Sequence, residues 1–317
     1  MQTNLIFGVR SAMDIKRLNN ALTFITIGVC VRNCASTIRE AIESIMAQDY
    51  PHELMEVIFV DDGSEDDTLS IIKEYEPKMD IKVKIFHHEW KGLGFSRNIV
   101  VKNASGKYII WVDGDMTIPK NFVRKQFEFM RMNPKVGIAK ARYGLPHKDN
   151  IVAILENIPY VVSDLKNVPL DSKLPGTGGS IYRTKAIRQV GGFDEGLTGV
   201  GEDQDAASRI KDAGWLIERT DVFFFEKREQ SWRELLHKYF WYGYGNYKLY
   251  RKNKKIFKLI KMNPIAGFLA GALLSVCAYR LVRKKIVFLL LPFHFALKMT
   301  AWCLGFIKHY ITASVGS

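Results

Sequence analysis

Ile109-Ile110-Trp111-Val112-Asp113-Gly114-Asp115 is an apolar run that ends in two aspartates separated by a single glycine. A strand buried on both faces reads this way until its last residues. Two carboxylates where such a strand emerges can hold a hard divalent cation, and that cation can hold a diphosphate. Gly114 is expected to leave room for a ligand to approach the backbone. Taken alone, the same three residues also suit an ordinary Asp-Gly turn, so the surrounding chain has to decide.

Working outward, short apolar runs alternate with helical patterns from Phe24 to about Phe225. The runs at 24–29, 57–60, 83–86 and 108–112 read as strands, and 36–47, 67–75 and 94–103 as the helices between them. Alternation of this kind predicts an α/β fold whose mostly parallel sheet is covered on both faces. Ligands of such sheets bind beyond the carboxyl ends of the strands. Polar residues gather at those ends: Arg32 and Asn33 after the first strand, Asp61-Asp62-Gly63-Ser64 after the second, Lys91 to Asn98 after the third, and Asp113 and Asp115 after the fourth. Acceptors for a base and ribose, cations for phosphates and a carboxylate pair for a metal suit a nucleotide. Asp61-Asp62-Gly63-Ser64 alone would pass for a turn and a helix cap, and Glu202-Asp203 for acids at a helix start.

The chain has 317 residues and a formal net charge of +13, which points to a polyanionic partner. Basic clusters at Arg251, Lys252, Lys254, Lys255, Lys258 and Lys261, and again at Arg280, Arg283, Lys284 and Lys285, flank apolar segments, a position suited to lipid headgroups. A nucleic-acid partner would account for the charge but not for strand-end acids, which repel phosphate. Four scattered cysteines form neither a zinc pattern nor a disulfide framework, consistent with a reducing compartment. A nicotinamide-binding Gly-x-Gly-x-x-Gly is missing after the first strand. Residues 1–21 read as an extension without signal-peptide character.

Seven ordered motifs together resemble the family 2 glycosyltransferases, an inverting group with the GT-A fold. They are Ala47-Gln48-Asp49-Tyr50-Pro51, Val60 to Ser64, Gly92 to Asn98, Asp113-Gly114-Asp115, Gly176 to Arg183, Val190 to Glu195 and Gly201 to Asp205. The resemblance covers about 22–247. It implies that Asp61 or Asp62 binds the base and ribose of a UDP- or GDP-sugar, with Arg32, Lys91 and Arg97 beside the nucleotide. It also implies that Asp113 sits by the ribose and that Asp115 coordinates Mg²⁺ or Mn²⁺. Gly178 and Gly179, with Gly176, would underlie the donor sugar. Asp203 would be the general base, and Glu202 would position the acceptor.

Two departures bear on the site. Many relatives have a tyrosine after the first strand, where this chain has Val31-Arg32-Asn33. Others place a histidine after the last strand, where Glu226 stands here as a candidate third metal ligand and Lys227 or Arg228 as diphosphate ligands. The Gln-x-x-Arg-Trp signature of processive synthases is absent.

Beyond the expected domain, residues 248–317 hold a basic stretch and two apolar segments, 264–279 and 286–307. These read either as a transmembrane hairpin behind a cytoplasmic catalytic domain or as helices lying in the interface. Gly267 and Gly271 suit close helix packing, whereas Lys298 in hydrocarbon requires a partner. Membrane attachment suggests a lipid-linked acceptor, and the Glu202-Asp203 pair favours a hydroxyl on a lipid-linked saccharide or glycolipid. A polyprenyl-phosphate acceptor and a non-catalytic nucleotide-sugar-binding scaffold are the alternatives.

Overall fold

The computed structural model describes residues 23–145, 150–167, 170, 174–198, 200–254, 262–283 and 285–315. The extension at 1–21 and the basic positions Lys255, Lys258, Lys261 and Lys284 lie outside these. An eight-stranded sheet is formed by β1 (Ile25–Val31), β2 (Met55–Asp62), β3 (Lys82–His88), β4 (Tyr108–Trp111), β5 (Met116–Thr117), β6 (Val136–Tyr143), β7 (Ser180–Arg183) and β8 (Leu216–Glu226). Its order is β3-β2-β1-β4-β7-β6-β8-β5.

Strands β3, β2, β1 and β4 are mutually parallel, as the alternating pattern predicts. Every residue of β1 and β2 is buried, which is why they read as unbroken apolar runs. Four-residue β7 enters antiparallel between β4 and β6, and β6 then pairs parallel with β8. The sheet is therefore mixed. Helices α1 (Ile38–Met46), α2 (Thr68–Tyr75) and α3 (Leu93–Asn103) connect the first four strands. Then follow α4 (Phe122–Met132), α5 (Ile151–Leu165), α6 (Thr184–Gln189) and α7 (Glu202–Asp212). One face of the sheet packs Ile27, Phe59 and Ile110 with α1 and α4, while the other packs Trp111, Tyr182 and Phe193 with α3 and α7.

Helix α8 (Trp232–Lys252) starts at a capping box between Ser231 and Glu234 and runs unbroken through the Trp241–Gly245 stretch. The expected boundary at 247/248 thus falls inside a helix. Behind it, α9 (Pro264–Val282) and α10 (Lys285–Val315) form a hairpin. A Cβ on Gly267 would stand 2.8 Å from the Phe295 carbonyl oxygen, and one on Gly271 2.7 Å from that of Leu291, so these glycines form the hairpin seam. Gly243 of α8 and Gly305 of α10 do the same across the α8–α10 crossing, where a Cβ would collide with the Trp302 and Phe240 carbonyls respectively.

The hairpin lies against α5 as well as α8. Lys298 Nζ and His294 Nε2 each meet Glu156 Oε2 at 3.0 Å, and Tyr239 donates its hydroxyl to Glu156 Oε1 at 2.7 Å. The partner that Lys298 requires is thus a glutamate of the α/β domain. Burial alone would raise the Glu156 carboxyl, but Lys298 and His294 hold it well below the usual range.

Among the described residues, one helix, at Lys285–Ser314, is long and apolar enough to cross a membrane, while the apolar part of α9 is shorter. Outward from the bundle, Ile286, Leu289, Phe293, Leu297, Leu304, Ile307 and Ile311 form an exposed stripe along α10. Ile265, Leu269, Leu273 and Val276 form another along α9.

Candidate active site

The carboxyl ends of β2 and β4 carry the expected acids. After β4 the chain turns tightly, with the Met116 amide donating to the Asp113 carbonyl at 3.1 Å. A Cβ on Gly114 would stand 2.8 Å from Val31 Cγ1 and 3.1 Å from Cys34 Sγ. The glycine is required by packing beneath the turn, which corrects the expectation that it makes room for a ligand. Asp113 and Asp115 flank it, each partly buried. Burial raises the Asp113 carboxyl, opposed by Arg97 and reinforced by Glu226. Asp115 is pushed up to about 8, first by burial and then by Glu226 and Asp113.

The loop that leads into β7 closes over this pair. A Cβ on Gly178 would collide with Asp113 Oδ2, and one on Gly176 would stand 3.0 Å from Asp203 Oδ2. The glycines therefore let one loop touch both acids. Gly179, with φ of 69°, sits against the Phe224 ring in a conformation that disfavours a side chain. Lys140 of β6 donates its ammonium to the Gly178 carbonyl and lies 4.9 Å from the Phe224 ring centroid. Buried almost completely, it is brought down to about 8 by desolvation, against the pull of Glu226 and Asp113. Lys140 was not among the expected site residues; its signal is a cation inside the apolar start of β6, two residues before Arg142.

Glu202 and Asp203 open α7 from Gly201, whose φ is 96°. Glu202 is buried and ion-paired to Arg97 of α3. Burial raises its carboxyl despite that arginine, to about 7, and its Oε2 has no hydrogen-bond partner. The Arg97 guanidinium loses by burial but is held above its usual value by Glu202, Asp203 and Asp113. Arg97 thus pairs with Glu202 and lies within electrostatic reach of Asp113 and Asp203. Asp203 is partly exposed; its Oδ1 accepts the Gln204 amide at 2.7 Å, and among the described residues no cation pairs with it.

Arg32, Asp61, Asp62 and Lys91 form a second group at the β1–β3 ends. Both Asp61 oxygens are engaged, by the Ser64 hydroxyl and by His87 Nδ1 at 2.7 Å. Asp62 takes the Lys91 amide at 2.7 Å and the Gly92 amide at 3.0 Å, so it shapes the loop after β3. Arg32 pairs with Glu65 at 3.3 Å and lies 5.6 Å from the exposed Trp90 ring. Trp90 is an exposed aromatic surface beside these loops, not among the expected site residues. Lys91 Nζ lies 4.5 Å from the Phe95 ring centroid.

Glu226, the expected third metal ligand, lies near enough to Asp115 to be the largest charge raising that carboxyl. Glu226 Oε1 is held by Arg228 Nη1 at 2.5 Å, and Arg228 folds back over the Tyr143 and Tyr160 rings. Among the described residues no group of three or more His, Cys, Asp or Glu side chains is placed to hold a metal. Of the cations that follow, Lys227 pairs with Glu40 at 2.6 Å and Arg228 with Glu226. What remains is a two-carboxylate turn with raised proton affinity. It fits a divalent cation that takes its other oxygens from a bound diphosphate.

A profile of glycosyl transferase family 2 matches residues 26–191. The chain belongs to that family. The matched part includes the Asp61–Ser64 turn, the Asp113–Asp115 turn and the glycine loop, while α7 and the C-terminal helices lie beyond it. Among curated relatives, 98 residues are 35% identical to the poly(ribitol-phosphate) β-N-acetylglucosaminyltransferase TarS of Staphylococcus aureus, covering 31% of this chain and 17% of that one. Another 26% identity spans 168 residues of the poly-β-1,6-N-acetyl-D-glucosamine synthase of Staphylococcus epidermidis, 51% of this chain and 40% of that one. The chain thus spans less than half the length of these relatives.

Solved structures share the fold over most of this family 2 chain. The mannosyltransferase PcManGT from Pyrobaculum calidifontis, in complex with GDP-Man and Mn²⁺, aligns with a TM-score of 0.65 at 18% identity, covering 91% of this chain and 87% of that one. TarS 1–349 of S. aureus with UDP-GlcNAc aligns at 0.53 and 20% identity, covering 91% and 92%. The architecture is therefore the GT-A fold followed by C-terminal helices.

Proposed function

We propose that the protein transfers a sugar, with inversion, from a UDP- or GDP-sugar to a hydroxyl of a lipid-linked saccharide or glycolipid at a membrane. The observation that carries this reading is the glycine loop in contact with Asp113 on one side and Asp203 on the other. A donor sugar lying on that loop would have its leaving phosphate toward Asp113 and Asp115 and an attacking hydroxyl toward Asp203. Asp113 and Asp115 would hold Mg²⁺ or Mn²⁺, which when bound neutralises charge on the departing diphosphate. Asp203 takes the hydroxyl proton as the acceptor oxygen bonds to the anomeric carbon and the bond to phosphate breaks. Arg97 keeps Glu202 fixed beside it. Lys140 secures the glycine loop through the Gly178 carbonyl.

A polyprenyl phosphate would attack as an anion and need no base, so a half-open Asp203 without a cationic partner favours the hydroxyl acceptor. Donor complexes of the structural neighbours, with GDP-Man or UDP-GlcNAc, support a nucleotide-sugar donor. The exposed apolar stripes on α9 and α10 support membrane association. Contacts of α10 with α5 and α8 along its length favour a hairpin lying in the interface over one that projects across the bilayer, with the catalytic domain on the cytoplasmic face.

The test is a panel of UDP- and GDP-sugars with Mn²⁺ and membrane lipid extract, read as release of nucleoside diphosphate and labelling of the lipid fraction. Asp203→Asn should lower transfer by ~10²–10⁴-fold while leaving donor affinity unchanged. Undiminished turnover in that variant would remove Asp203 from its role.

A further inference from the structure

Two adjoining hollows, of 670 and 440 Å³, lie where α8 and the end of α10 meet the catalytic domain, and they share Lys248 and His309 in their walls. The smaller reaches Trp90 of the nucleotide-side loop and Thr198, five residues before Asp203. Three cations stand along the cleft: Lys248 and Arg251 on α8 and Lys308 on α10. All three are exposed, and among the described residues no carboxylate pairs with any of them. Lys248 has only a 3.5 Å contact with the Thr198 hydroxyl, Arg251 a 3.4 Å contact with the Tyr247 hydroxyl, and Lys308 the Phe240 ring 5.6 Å away. Their neighbour Lys252 differs, being tied to Asp194 and Asp205 at 2.6 and 2.7 Å. It anchors the end of α8 to the start of α7 and so fixes the cleft beside the candidate base.

The apolar stripe of α10 runs up to this cleft: Leu304, Ile307 and Ile311 are exposed on the same helix as Lys308. A basic hollow of ligand size at the end of an apolar track suits a molecule with a phosphoryl head and a hydrocarbon tail. We propose that the cleft holds the phosphoryl head of a lipid-linked acceptor, with Lys248, Arg251 and Lys308 as its ligands, while the tail follows the α10 stripe. This rests on the lipid-linked-acceptor reading above and adds to it a site for the lipid's phosphate, on the C-terminal helices and apart from the donor's own diphosphate at Asp113 and Asp115.

The test measures recruitment of the full chain, without donor, to three kinds of vesicle. These are phosphatidylcholine alone, phosphatidylcholine with a few mole per cent polyprenyl diphosphate, and phosphatidylcholine with phosphatidylglycerol at matched surface charge. The wild-type chain should prefer the polyprenyl diphosphate vesicles over the charge-matched ones by about tenfold or more, the scale of one or two charge-assisted hydrogen bonds. Lys248→Gln with Arg251→Gln and Lys308→Gln should erase the preference, and replacing exposed Lys73, Lys82 and Lys125 by Gln should leave it intact. A preference that survives the first triple variant overturns the assignment. So does a wild-type chain that binds both anionic vesicles equally, since the cations then read surface charge alone. Nucleotide binding to the triple variant checks that it is folded. Because recruitment is read without sugar transfer, a chain that shows the preference yet transfers to no lipid acceptor refutes the proposed activity and leaves the binding site standing.

Discussion

Replacing Glu156 tests whether the C-terminal hairpin is part of the catalytic domain's interior. Its carboxylate is 1% exposed and faces Lys298 and His294, themselves 4% and 0% exposed. Glu156→Ala leaves the Lys298 ammonium in a dry site without its carboxylate, beside the rings of Tyr239 at 4.9 Å and Phe295 at 4.3 Å. Breaking a buried pair from one side costs about 3–5 kcal/mol, because the surviving charge is uncompensated. At about 2 °C per kcal/mol for a chain of this size, the melting temperature in mild detergent should fall by about 6 °C or more. Lys298→Met should also destabilise, since Glu156 would keep only His294 and Tyr239. Joining Glu156→Gln to Lys298→Met removes both charges at similar volume and should return most of the loss. The assay is a thermal-melt cycle of Glu156→Gln, Lys298→Met and the double variant, with Glu156→Ala measured alongside. Single effects that simply add, within about 0.5 kcal/mol, would show that the two residues do not interact and would refute the docked arrangement.

Gly178→Ala would place a methyl group against Asp113 Oδ2, and donor affinity measured by nucleotide-sugar titration should fall by about tenfold or more. Lys140→Met keeps the side chain's bulk but loses its bond to the Gly178 carbonyl, so the donor KM should rise more than kcat falls in steady-state assays. The raised Asp115 carboxyl makes a cation compete with a proton: Mn²⁺ affinity should strengthen from pH 6 to pH 8, with about one proton released on binding at pH 6 and fewer at pH 8, and calorimetry in buffers of different ionisation heat reads both. The folded chain also binds that proton more tightly than the unfolded chain. Without cation, the stability contributed by Asp115 is therefore fully present below the unfolded value of about 4 and is lost as pH rises through about 8, a decline that Mn²⁺ should suppress in thermal melts.

The parallel half of the sheet was legible because β1, β2 and β4 are buried on both faces, and burial on both faces leaves an unbroken apolar run. Strand ends then pointed to Asp113, Asp115, Asp61 and Arg97 without any knowledge of packing. Short β7 could not be placed, since four residues carry no period and its antiparallel insertion depends on contacts with β4 and β6. The Glu156–Lys298 pair spans 142 residues of sequence, and nothing local to either residue names the other. Lys298 in an apolar helix was nonetheless a visible signal that an acid elsewhere pairs with it. The Gly114 reading failed for a related reason: local sequence shows that a side chain is missing, but not whether a ligand or Cys34 occupies the space.

Shared ownership of α8 has a practical meaning for anyone wishing to isolate a soluble catalytic fragment. Its first half carries Leu235 and Tyr239 into the hairpin, while its last residues hold Asp194 and Asp205. Truncation at 247 would cut the helix before Lys252 and strip the cover from Leu155, Ile158 and Val162 of α5. Such a fragment would expose a raw oily wall with an unneutralised glutamate in it, and should be recovered as inclusion bodies. Fragments meant to stay in solution should keep all three helices and carry polar replacements on the outer stripes instead.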